Sequence, residues 1–190
     1  MNKRAYGFTI VELLIVIVVI AILAAITVVA YNGIQQRAKN TTTLSAVEQT
    51  AKAIQMYIGS TGSYPYTGGS MACVPTTSGC VRDTGVVDSE IATFTTNMAT
   101  VASLPRTVPT SGTNGNGIIY SYQTGRVFNG ETQPAMLLYW LNGSSQNCGM
   151  SGILNGWGTP TAAVTTTTGY TANSPAGKTM CFVSIPGPAA

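Results

Sequence analysis

The chain has 190 residues, 45% hydrophobic and only 8% charged, with nine Lys and Arg against six Asp and Glu and no histidine. A net charge of +3 with no basic run gives no reason to expect a nucleic-acid binder, and part of that charge is Lys3 and Arg4 at the very start. Without histidine, with scattered acids and with no Ser or Cys beside a base in sequence, catalysis is not expected and no cofactor is implied. The 28 threonines leave the surface to be wetted mainly by neutral hydroxyls and amides.

The first predicted element is the apolar run from Phe8 to Ala30, 23 residues interrupted by a single charge, Glu12. As a helix it would be about 34 Å long, enough to cross a bilayer with some tilt. A carboxylate inside a span costs about 2.5–3.5 kcal/mol at the helix centre and less near an end, so Glu12 calls for a reason. A secretory signal would use the basic Lys3 and Arg4 and a cut after Ala30, but its apolar region is normally about 7–15 residues and free of acid. A plain single-pass anchor leaves both Glu12 and Gly7 unexplained. Basic residues on both sides of the span, Lys3 and Arg4 before it and Arg37 and Lys39 after it, do not fix its orientation.

The block Gly7-Phe8-Thr9-Ile10-Val11-Glu12-Leu13-Leu14-Ile15-Val16-Ile17 closely resembles the processing site and first helix of type IV prepilins and pseudopilins. The resemblance implies a leader, Met1 to Gly7, removed by a membrane-embedded prepilin peptidase, and a mature amino terminus at Phe8 that is N-methylated. It also implies a homopolymer of subunits built by an assembly platform, from a membrane-held precursor into an extracellular filament. Cleavage would expose an ammonium on Phe8, four residues before Glu12. The two would neutralise each other in an apolar core, within a subunit or between neighbours.

Past the span, Ile34, Ala38, Thr41, Leu44, Val47, Ala51, Ile54 and Ile58 recur at steps of three and four, which predicts one continuous helix to about residue 58. Asn32-Gly33 weakens it locally by roughly 1 kcal/mol relative to Ala. Gly59 to Pro65 ends it. Tyr57 with Gly62-Ser63-Tyr64-Pro65 resembles the helix exit of type IV pilins and major pseudopilins, with Tyr64 covering the helix. Residues 66–87 read as irregular. Asp88 then suits a helix cap, with Glu90 in the first turn, a core stripe of Ile91, Phe94, Met98 and Val101, and Pro105 as the stop. Strands are expected at 118–123, 126–128, 135–141 and 179–185, set apart by turn signals such as Asn129-Gly130 and Asn142-Gly143. Residues 143–177 form a Gly/Thr/Asn-rich segment with no regular pattern. Asn40-Thr41-Thr42 and Asn142-Gly143-Ser144 fit a glycosylation pattern that is common by chance.

The fold expected is therefore α+β, a type IV pilin fold with a long helix on an antiparallel sheet of three to four strands. Its parts are a leader at 1–7, a membrane or filament-core helix at 8–30, an amphipathic continuation at 31–58 and a globular head at 59–190. Four cysteines without a Cys-x-x-Cys pair or any histidine point to two disulfides rather than zinc, and they allow three pairings that sequence alone does not resolve. Cys73 and Cys80 bracket a short segment and Cys148 and Cys181 the carboxy-terminal part, which favours Cys73–Cys80 with Cys148–Cys181. The second of these resembles the bridge that closes the carboxy-terminal loop of many type IV pilins. Pseudopilins often carry an Asp-rich calcium site near that end, whereas the only acid after Glu90 here is Glu131, so no metal is assigned. The other classes open are a type II secretion pseudopilin and a membrane-tethered binding module.

Overall fold

The computed structural model describes residues 7–65, 67, 71–74, 79–82, 85–88, 91–106, 114–124, 127–128, 131–132, 134–151, 153–154 and 177–188. Helix α1 spans Ile10–Thr61, and α2 spans Ala92–Ala99. The strands are β1 Met71–Cys73, β2 Cys80–Val81, β3 Val87–Asp88, β4 Ile118–Tyr122, β5 Val127–Phe128, β6 Glu131–Thr132, β7 Ala135–Asn142, β8 Ile153–Leu154 and β9 Lys178–Ile185. Two compact units divide the chain, one ending at Arg37 and the other beginning at Ala38.

In the first unit the helical residues are exposed almost throughout, from Ile10 to Gln35. The stretch is long and apolar enough to cross a membrane, and among the described residues of the unit no side chain shields it.

The second unit is an antiparallel sheet with the part of α1 from Ala38 onward on one face. Four strands form it, extended at one edge by the two-residue β8, in the order β1-β4-β7-β9-β8. The side-chain period of two sorts each strand cleanly. Leu137, Tyr139 and Leu141 of β7, Ile118 and Tyr120 of β4, and Cys181, Val183 and Ile185 of β9 pack with α1 and α2. Their neighbours Met136, Leu138, Trp140, Ile119, Met180 and Phe182 build a second buried cluster with Cys73 and Cys80 on the other face. The register Leu137↔Val183 and Tyr139↔Cys181 keeps like with like, since a slip by one residue would exchange the two cores. Cys73 is bridged to Cys80 and Cys148 to Cys181, so each face of the sheet holds one disulfide.

Several sequence expectations shift. Met71–Cys73, placed in an irregular stretch, is the edge strand β1, held by Cys73↔Ile119 and its neighbours. Residues 127–128 pair with 131–132 in a separate ribbon rather than joining the sheet. The Asn129-Gly130 turn between them, Arg126, Glu90, and most of 143–177 lie outside the described residues. Asp88 does not cap α2. The residue before α2 is Ile91, with no side-chain cap, while Asp88 lies in β3 opposite Cys80 and meets Arg82, Nε to Oδ2, at 2.7 Å. A local cap signal has lost to tertiary pairing. The core stripe of α2 does face inward: Phe94 stacks on Tyr120 at 4.8 Å between ring centroids, Met98 is buried, and Ile91 and Val101 pack against the same cluster.

On α1 the buried stripe keeps Val47, Ala51, Ile54 and Ile58, with Leu44 half-buried, but Ile34, Ala38 and Thr41 are exposed. Asn40, Thr43 and Thr50 are buried in their stead. The two threonines satisfy their hydroxyls inside the helix, on Lys39 O and Ala46 O. Asn40 uses its amide as a short strand would: Nδ2 donates to Asn142 O at 2.9 Å and Oδ1 accepts from Asn142 N at 2.8 Å. With its amide engaged and only 8% of the residue exposed, Asn40 is closed to glycosylation in the folded head. The helix ends where Gly62, at φ +67°, donates its N–H to Ile58 O at 2.8 Å, a left-handed cap open to glycine. Tyr64, just beyond, donates to Ile185 O at 3.1 Å and packs its ring on Tyr122.

Candidate processing and assembly site

The site is built on the first turn of α1. Gly7 is exposed, and a Cβ added to it would meet nothing within 4 Å. Phe8 is 84% exposed and precedes the helix, which begins at Ile10 rather than at Phe8. The Gly7–Phe8 peptide is thus presented as non-helical chain ahead of a rigid rod, the form in which a protease can bind a backbone.

Glu12 occupies the third position of the helix, and Thr9 caps it. Thr9 N–H donates to Glu12 Oε2 at 2.8 Å, Thr9 Oγ1 donates to the same oxygen at 2.7 Å, and Glu12 N–H donates back to Thr9 Oγ1 at 3.2 Å. This is a reciprocal capping box, and Thr-x-x-Glu in the sequence already spelled it. The sequence reading missed it because it sought a partner for Glu12 only in the amine of a cleaved Phe8. Two consequences follow. In the uncut chain the carboxylate already has donors at the helix start, where the macrodipole also favours negative charge. And because Phe8 is outside the helix, its closeness to Glu12 rests on chain connectivity through Thr9 and not on a shared helical face.

Beyond Glu12 no charged residue appears until Arg37. The apolar side chains Leu13 to Val29 are exposed, so this surface needs a bilayer or other subunits to cover it. Among the described residues no three His, Cys, Asp or Glu come together as a metal-binding group.

A family model, the prokaryotic N-terminal methylation motif, matches residues 2–28. No curated protein and no solved structure matches the chain. The matched stretch holds Gly7, Phe8, Thr9 and Glu12 together with the apolar helix, and it fits a membrane-anchored precursor. Over residues 2–28 the chain bears the signature of type IV pilins and prepilin-like proteins, and its long helix on an antiparallel sheet matches the type IV pilin fold.

Proposed function

We propose that the chain is the structural subunit of a type IV pilus, without enzymatic activity. Prepilin peptidase cuts after Gly7, Phe8 becomes the methylated amino terminus, and an assembly platform moves the subunit from the cytoplasmic membrane into an extracellular homopolymer. The observation that carries this reading is the exposed Gly7–Phe8 peptide set on a capped helix whose apolar stretch, to Ala30, holds one acid, Glu12. In the filament core Glu12 exchanges its Thr9 donors for the Phe8 ammonium, of the same or a neighbouring subunit. A broken buried pair strands a charge at about 3–5 kcal/mol, whereas loss of a cap costs about 0.5–2 kcal/mol. The pair therefore acts as a register pin.

Two disulfides and a carboxy-terminal half with so few acids favour a pilus over a type II secretion pseudopilus, which remains the second reading. Electron microscopy of sheared surface fibres, with mass spectrometry of their subunit, is the test. Fibres containing a chain that starts at methylated Phe8 support the proposal, and a mature chain starting at Tyr31 would replace it with a secreted protein. Glu12→Gln keeps a residue able to cap at the third helical position but removes the charge, so it should insert in the membrane and assemble poorly. A normal fibre yield from Glu12→Gln removes the role given to the charge.

A further inference from the structure

The other end of the apolar helix carries aromatic and polar side chains. Tyr31 is 61% exposed, and its hydroxyl accepts a hydrogen bond from Gln35 Nε2 one turn on. Asn32, Gly33 and Arg37 are exposed as well. Between Leu13 and Ala30 the only polar side chain is Thr27, which turns its hydroxyl back onto Ala24 O at 2.9 Å. The segment from Glu12 to Tyr31 is 19 residues, so it rises about 29 Å, close to the roughly 30 Å of a hydrocarbon core. When Tyr31 lies at one boundary, the Thr9–Glu12 capping box lies at the other. Arg37 is six residues farther, about 9 Å beyond Tyr31, at the outer edge of the headgroup layer, from which an arginine side chain, tilted toward the helix amino terminus, can reach lipid phosphates.

We propose that Tyr31 and Arg37 form an anchor for anionic phospholipid headgroups in the leaflet at the carboxy-terminal end of the span. This rests on the membrane-held precursor stage proposed above. The tyrosine supplies an amphipathic ring suited to the interface, and the guanidinium supplies a fork that holds a phosphate by paired hydrogen bonds. About a third of a turn separates them around the helix, so they reach different lipids. The anchor sets the depth of the helix and keeps Glu12 at the opposite boundary, in contact with headgroups and water. Desolvation of the carboxylate then belongs to filament entry, where the Phe8 ammonium meets it, and not to residence in the membrane.

The test uses the full chain in vesicles of phosphatidylglycerol and phosphatidylethanolamine, and in vesicles of phosphatidylcholine alone. All four native cysteines are in disulfides, so a cysteine introduced at Leu13, Ile20 or Asn32 takes a nitroxide label specifically. Depth is read from the label's accessibility to oxygen and to a water-soluble nickel chelate. Expected are an Ile20 label in the hydrocarbon and Leu13 and Asn32 labels at its two edges. Arg37→Gln should move the Asn32 label by about 3 Å, two residues of helix rise, in the anionic vesicles but not in phosphatidylcholine. Arg37→Lys, still cationic, should restore most of the depth. An Ile20 label in hydrocarbon with an unmoved Asn32 label in Arg37→Gln, or with the Leu13 label deep in the core, overturns the anchor and spares the membrane reading. An Ile20 label in water overturns both.

Discussion

Asn40 offers the sharpest test of how the helix is fixed to the sheet. Its amide makes two hydrogen bonds to the main chain of Asn142 at the end of β7, at 2.9 and 2.8 Å, from a side chain that is almost wholly buried. At about 1 kcal/mol net for each bond, Asn40→Ala should cost about 2 kcal/mol. For a domain of this size that lowers Tm by roughly 4–8 °C, read by near-ultraviolet circular dichroism with both disulfides intact. Asn40→Asp separates hydrogen bonding from shape. At neutral pH its carboxylate keeps the acceptor for Asn142 N–H but faces Asn142 O with no proton, so it should be worse than alanine. On acidification the carboxyl gains the missing donor and reproduces the pattern of the amide. Its folded-state pKa is thus above the unfolded one, and stability should return as pH falls through that raised value. If Asn40→Asp matches the native chain at neutral pH, or if Asn40→Ala costs under about 0.5 kcal/mol, the amide is not what holds the helix there.

Three further outcomes are expected. Gly117 sits at φ +86°, and an added Cβ would lie 2.6 Å from Cys80 Sγ. Gly117→Ala should therefore cost about 1–3 kcal/mol and raise the fraction of chains with free thiols, measured by thiol titration after purification. Burial raises the Asp88 carboxyl above its ordinary value of 3.8, and the Arg82 contact, a meeting of charges without an aligned hydrogen bond, offsets this only in part. Since the folded pKa exceeds the unfolded one, the contribution of Asp88 is present below the unfolded value and is lost as pH rises through the folded one. The Tm of the native chain minus that of Asp88→Asn should grow as pH falls through the range just above 3.8, and a difference that shrinks would refute the sign. Loss of the Cys148–Cys181 bridge, sequence separation 33, should cost about 4 kcal/mol against about 2 for Cys73–Cys80, separation 7, when each pair is replaced by alanine and unfolded in urea.

What the sequence made legible follows the range of the forces involved. The apolar run, the glycine at 62 and the alternation along 135–141 are local signals, and the elements form where those signals lie. Strand β1 was hidden because three residues give no period, and only the ladder with β4 makes Met71–Cys73 extended. Asp88 misled because an acid before a helical stripe looks like a cap, while Arg82 and Cys80 claim it across the chain. Asn40 was hidden for the same reason: no local pattern marks an asparagine whose partner is 102 residues away. At the candidate site the opposite happened. Thr9-x-x-Glu12 was readable as a cap, but the acid in an apolar span drew the reading toward an amine that only cleavage would create.

The position of β9 between β7 and β8 has a consequence for how the head is made. Met136 through Leu141 are buried on both faces of the sheet, and along its whole length β7 pairs with β9, beginning at Asn142↔Lys178. A chain emerging from a translocon amino terminus first would hold β7 with one edge open until some forty residues more had crossed. During that interval its apolar residues are an invitation to strand pairing with another copy, and Cys148 waits without Cys181. If the head is exported as proposed, a chaperone or a slowed emergence that shields β7 until Lys178–Ile185 arrives would then decide how many chains reach the folded state.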